Sequence, residues 1–179
     1  MGTETVTDAG VMISPSEPIK LDWYVAHTRP RCEKKLAQYC EREGLTHTLP
    51  CYRKVHKYRG KTVTFHNPLF PGYLFLQLYR HQRFKVYQSD YVANLLHVFD
   101  QQLFERQLND ILLALETDLE VRLAPEIKPG CQVCIKSGPL RGVTGYVEKR
   151  SGIMQVILRL DFISQGAAVT IHADELELI

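Results

Sequence analysis

Cys131-Gln-Val-Cys134 is a pair of thiols at metal-ligand spacing. It falls in an alternating segment that reads as a strand, where side chains at i and i+3 leave on opposite faces, so the two sulfurs diverge. A structural zinc takes four ligands, and no second pair follows. The histidines at 27, 47, 56, 66, 81, 97 and 172 show neither HxxxH nor HExxH spacing. Cys51 has His47 and His56 near it in sequence, which is weak ground for a thiol–imidazole pair. No glycine-rich phosphate loop is present. The expectation is no enzyme, no cofactor and no metal, and a function exercised by binding.

Binding surfaces are therefore the features to look for. Asn67-Pro-Leu-Phe-Pro-Gly-Tyr-Leu-Phe-Leu76 is punctuated by two prolines and a glycine, which demands an extended and then sharply bent backbone. Alternation follows. Leu74, Leu76 and Leu78 share one face of a strand, and Tyr73, Phe75, Gln77 and Tyr79 share the other. The leucine face reads as core. An aromatic opposite face is unusual for a half-buried strand, and Phe70, Tyr73 and Phe75 read either as exposed partner anchors or as a second covered face.

Charge is distributed unevenly. Residues 20–61 carry eleven basic and four acidic side chains, and residues 84–127 carry three basic and eight acidic. A positive front and a negative back suit an oriented approach to a polyanion. Five cysteines without framework spacing fit a reducing, cytoplasmic setting. No apolar run approaches a membrane span, and residues 1–19, rich in Thr, Ser, Pro and acid, read as a disordered tail rather than a secretory signal.

The positioning elements follow from periodicity. Leu21–His27 reads as a strand. A helix runs from Pro30, in its first turn, to about Glu43, with Gly44 as the stop. On it Arg31, Lys35, Gln38 and Arg42 form one mostly basic stripe. Thr46–Phe65 reads as a hairpin with strands Cys51–Tyr58 and Thr62–Phe65 and a basic tip at Arg59-Gly60-Lys61. A short helix at His81–Gln88, a strand at Asn94–Phe99 and an amphipathic helix at Gln102–Leu115 complete an α+β unit, an antiparallel sheet flanked by helices. Residues 118–127 read as a linker. Five short strands follow, at Gln132–Lys136, Thr144–Glu148, Gln155–Leu160, Ala168–His172 and Glu175–Leu178, separated by glycines as in a small barrel. The domain division is thus a tail at 1–19, a first domain at 20–117, a linker at 118–127 and a barrel at 128–179.

These residues resemble the NusG family of transcription elongation factors. Pro68-Leu-Phe-Pro-Gly-Tyr-Leu-Phe75 looks like the signature of that family's N-terminal (NGN) domain, and Trp23-Tyr24-Val25 followed by a basic helix matches it as well. Gly130-x-x-Val133-x-Ile135, Gly138-Pro-Leu-Arg-Gly142 and Gly145-x-Val147 look like a KOW module with an SH3-like barrel. The resemblance covers about residues 20–179. It implies a monomeric, non-enzymatic bacterial factor whose N-terminal domain binds the β′ clamp helices of RNA polymerase and reaches toward the β gate loop. By position, the polymerase surface would comprise His27, Phe70, Pro71, Tyr73 and Phe75. Specialised members also read the non-template DNA strand, and the matching positions are Arg29, Lys35, Tyr39 and Arg42. The KOW module of relatives recruits a small-subunit ribosomal protein or Rho, and the equivalent turn offers Leu140 and Arg141.

The chain departs from the pattern in two places. A His/Thr-rich gate-loop contact is replaced by Arg83-Phe-Lys-Val-Tyr87, and a Pro-Gly turn by Tyr91-Val-Ala-Asn94. The basic helix and the altered Tyr91-Val-Ala-Asn94 region favour a specialised, RfaH-like paralog that promotes processive elongation and antitermination on particular long operons, although specialised relatives often carry the His/Thr-rich contact that is replaced here. The alternatives are a housekeeping elongation and termination factor, or a KOW-containing RNA- or ribosome-binding module. The near balance of six basic and five acidic residues in 128–179 argues against the last.

Overall fold

The computed structural model describes residues 20–58, 60–117, 121–124, 130–150, 153–171 and 175–179. The tail at 1–19, Arg59 in the hairpin turn, and the remainder of the 118–127 segment lie outside them. Twelve strands and three α-helices follow in chain order: β1 Leu21–Thr28, α1 Glu33–Arg42, β2 Thr46–Thr48, β3 Cys51–Tyr58, β4 Lys61–Pro68, β5 Tyr73–Tyr79, α2 Arg83–Tyr87, β6 Val92–His97, α3 Gln101–Glu116, β7 Val121–Ala124, β8 Gln132–Ile135, β9 Thr144–Arg150, β10 Ile153–Leu160, β11 Gln165–Thr170 and β12 Leu176–Leu178.

The N-terminal sheet has the order β2-β5-β1-β6. Its centre is the antiparallel β1–β5 ladder, with Val25 opposite Phe75 and His27 opposite Tyr73. Strand alternation splits its side chains between two cores. Tyr24, Ala26, Leu74, Leu76 and Leu78 face Leu36 and Cys40 of α1, Val86 of α2, and Leu95. Trp23, Val25 and Phe75 face the opposite way, against Phe104, Leu108 and Ile111 of α3. The aromatic face of β5 is therefore covered. Phe70 and Phe75 are 1% and 0% exposed, which corrects the expectation of exposed aromatic anchors at these two positions. The cause is α3, which begins more than twenty residues downstream. Phe104 stands edge-on to Phe75 with ring centroids 5.5 Å apart and lies 5.6 Å from Trp23.

Two local readings also change. The helix starts at Glu33, not Pro30, because Arg31 takes a left-handed φ of 61° that interrupts the turn. The segment read as a linker contains β7, which pairs with β11.

The C-terminal sheet runs β12-β8-β9-β10-β11-β7. Strands β8–β12 correspond to the five that the sequence spacing predicts. Val133, Ile135, Val156, Leu158 and Leu160 alternate inward as expected and are buried. Gly145 of β9 and Gly166 of β11 flank β10 closely. A Cβ on Gly145 would come 2.5 Å from Val156 Cγ1, and one on Gly166 would come 2.6 Å from the Leu158 carbonyl oxygen.

This sheet packs on the outer side of α3. Phe162, just after β10, is edge-on to Phe104 at 6.0 Å. Gln107 and Asp161 exchange two hydrogen bonds: Gln107 Nε2 donates to Asp161 Oδ2 at 2.7 Å, and the Asp161 N–H donates to Gln107 Oε1 at 3.0 Å. One apolar core thus runs from Trp23 through α3 to Val133 and Val169. Among the described residues, no helix is long and apolar enough to cross a membrane.

Truncating a ring in this stack removes buried contacts and leaves a cavity. Phe75→Ala and Phe104→Ala are each expected to lower unfolding free energy by about 3–5 kcal/mol, read from urea denaturation. Gly145→Ala is expected to lower it by roughly 1–3 kcal/mol through overpacking. The thiols should separate chemically as well. Burial pushes the Cys40 thiol up to about 12, so it stays protonated at pH 8 and should resist alkylation, while exposed Cys131 should be modified. Mass spectrometry after iodoacetamide treatment reads both sites.

Candidate functional site

The Phe70–Tyr73 bend is held from three directions. Leu69 N–H donates to the Pro50 carbonyl at 2.7 Å, Thr28 N–H to the Gly72 carbonyl at 2.8 Å, and Tyr73 N–H to the Phe70 carbonyl at 3.2 Å. Gly72 has φ +85°, which L side chains rarely adopt. Its N–H donates to Glu33 Oε1 at 2.7 Å, so the first turn of α1 is tied to the bend. Glu33 has no local signal for this role, since its partner lies 39 residues away.

The five positions assigned by resemblance to the polymerase surface separate into two layers. Phe70 and Phe75, their centroids 5.9 Å apart, form a buried floor. His27 and Pro71 are exposed and Tyr73 is half-buried. The His27 and Tyr73 rings lie 5.4 Å apart at the rim. A shallow groove beside them is lined by Arg31, Glu33, Lys34, Tyr52, Asn67, Pro68 and Pro71. It offers apolar walls with cationic flanks.

The four DNA-contact candidates come together around α1. Lys35 and Arg42 are exposed and share a groove with Gln38, Glu41 and Tyr91. The Arg29 main chain is tied beside this groove, its N–H donating to the Tyr91 carbonyl at 2.8 Å. Tyr91 thus links the loop to the helix. It lies in the region where the sequence departs from the family pattern, and no periodicity marks such a loop residue as part of a surface. Tyr39 is half-buried. Its hydroxyl donates to the Lys85 carbonyl at 2.9 Å, and Arg42 lies over its ring at 5.9 Å. Tyr39 therefore braces α1 against α2 and orients Arg42, and its ring is only partly available to a ligand. Arg31 leaves the expected stripe, because it precedes the helix in a left-handed conformation and lines the other groove.

At the C-terminal turn, Leu140 and Arg141 part ways. Gly138 and Gly142 both have positive φ. The turn closes through Gly142 N–H to the Ile135 carbonyl at 2.7 Å and Arg141 N–H to the Gly138 carbonyl at 3.2 Å. That geometry sends Leu140 into the core at 1% exposure and leaves Arg141 in solvent. Leu140 is thus a core residue here and not a surface contact, which corrects the expectation from its place in the turn.

Comparison with known proteins places this geometry. A solved structure of NusG from Thermotoga maritima, described under the heading of domain interaction, matches with a TM-score of 0.50 and 21% identity, over 89% of this chain and 98% of that one. At this identity the likeness speaks for the fold. No curated protein sequence matches the chain. The family described as transcription termination factor NusG matches residues 21–111, the span that holds the bend, the two grooves and most of α3. The chain belongs to the NusG family.

Proposed function

We propose that this chain binds RNA polymerase and promotes processive elongation and antitermination on particular long operons, as an RfaH-like member of its family. Family membership supports the coarser role of transcription elongation factor. The observation that carries the finer reading is the groove that Lys35 and Arg42 of α1 share with Tyr91, to whose carbonyl the Arg29 N–H is bonded, a few residues from the His27–Tyr73 rim. Two surfaces of different chemistry then lie side by side. His27, Pro71 and Tyr73, over a floor of Phe70 and Phe75, suit an apolar helical partner such as the β′ clamp helices, since aromatic rims bury large rigid area at little entropic cost. The cationic groove suits the phosphates and bases of a non-template strand.

The C-terminal sheet contributes Arg141 at its turn as a contact for a ribosomal protein or Rho. The factor acts in the cytoplasm as a monomer. A general elongation and termination role is the second reading, favoured by the description of the matched family as a termination factor.

Immobilised full-length chain should retain purified bacterial RNA polymerase. His27→Ala with Tyr73→Ala should reduce retention at least about tenfold, as loss of an interface anchor does, without loss of folding. Undiminished retention by the folded variant would sink the rim assignment. Lys35→Ala with Arg42→Ala should keep polymerase binding and abolish preference among non-template sequences. Occupancy confined to a few operons would support the specialised role, and occupancy across most genes the general one.

A further inference from the structure

The β3–β4 ribbon is absorbed by none of these roles. It forms its own two-stranded sheet, paired from Cys51↔Pro68 to Tyr58↔Lys61. Its base is anchored by the Leu69 N–H to Pro50 carbonyl bond and by half-buried Tyr52 against the main core. From Arg53 to the tip and back to His66, every described side chain is exposed, including Val55 at 59% and Val63 at 41%. Five paired intervals at strand rise give an arm about 17 Å long.

Among its described residues the arm carries Arg53, Lys54, Lys57 and Lys61, and the sequence of 53–66 holds no acidic residue. Register puts Arg53 and Lys57 on one face, and Lys54 and Lys61 on the other. At its base Arg31 and Lys34 line the adjoining groove, and Lys34 is close enough to act electrostatically on Cys51. The one acid in that groove, Glu33, is engaged by the Gly72 N–H. Cations also keep open ribbon edges from aggregating. That purpose needs neither cations on both faces nor a basic track continuing onto α1.

We propose that this ribbon is an arm that enters the major groove of duplex DNA. A B-form major groove about 12 Å wide admits a two-stranded ribbon, and phosphates line both its walls, which matches cations on both faces. The groove of duplex RNA is too deep and narrow for such an element. A single strand is held by rows of stacking aromatics, and the exposed rings among the arm's described side chains are Phe65 and His66, too few for such a row. This goes beyond the polymerase reading and does not rest on it.

The test uses the full chain alone, with labelled duplex DNA of about two helical turns, followed by fluorescence anisotropy between about 50 and 200 mM salt. The matching single strand and a duplex RNA of equal length serve as competitors. Duplex DNA should bind tightest. Arg53→Thr with Lys57→Thr and Lys61→Thr should weaken binding at least about tenfold at the low salt and reduce the logarithmic salt slope by roughly two to three, a larger loss than Lys35→Ala with Arg42→Ala causes. In the unaltered protein, duplex DNA should protect Lys54, Lys57 and Lys61 from acetylation, a readout independent of any variant's folding. Equal or tighter binding of single strand or duplex RNA, loss only in the α1 variant, or absence of lysine protection would overturn the proposal. The last result would assign the arm to a protein partner.

Discussion

The packing of α3 against the aromatic face of the β1–β5 ladder is the constraint on which the rest of the structure depends. Gln101 fixes where the helix begins. Its Oε1 accepts from the Trp23 N–H, and its Nε2 donates to the Trp23 and Val98 carbonyls. Asp100 caps the same end by accepting from the Leu103 N–H. With that end pinned, Phe104 falls between Trp23 and Phe75. Tilted and edge-to-face rings gain about 0.5–1.5 kcal/mol beyond area burial, so the stack is directional as well as apolar. Both sheets then have a surface to pack against, one on each side of a single helix.

This arrangement also explains why the candidate site is a rim rather than a patch. Once α3 covers Phe75, the aromatic face can meet solvent only at its edge, where the Phe70–Tyr73 bend turns the chain. Gly72 lets the backbone turn there, and Glu33 holds it against α1. The apolar rim and the cationic groove are thus two ends of one helix's attachments. Glu33 in its first turn secures the bend, and Arg42 in its last turn faces the groove with Tyr91. Their spacing is set by a rigid element, and a ligand need not order it.

Sequence periodicity made most of this legible where the information is local. Leu74, Leu76 and Leu78 are inward as alternation requires, Gly44 stops α1 with φ +65°, and the strands β8–β12 appear at their predicted places. Alternation cannot say whether a strand's second face is covered, because the cover for Phe75 is Phe104, 29 positions later. The fate of Leu140 was hidden for another reason. A turn flanked by glycines reads as surface, yet two positive-φ glycines decide which of its side chains points inward. Arg29 is tied to the groove residue Tyr91 through a backbone bond, an interaction that leaves no trace in residue type.

The place of Phe104 between two sheets has a consequence for how the chain is made. Its partners Trp23 and Phe75 precede it, but Phe162 follows it by 58 positions. At roughly 5–20 residues per second, synthesis of that interval takes on the order of three to twelve seconds. Throughout it the nascent N-terminal half has α3 with one side buried and the other without the sheet that will cover it. The half-built protein must therefore keep an apolar helix face harmless while tethered to the ribosome, and exposed polar residues on α3 such as Gln102, Glu105 and Asn109 are what it has to do so.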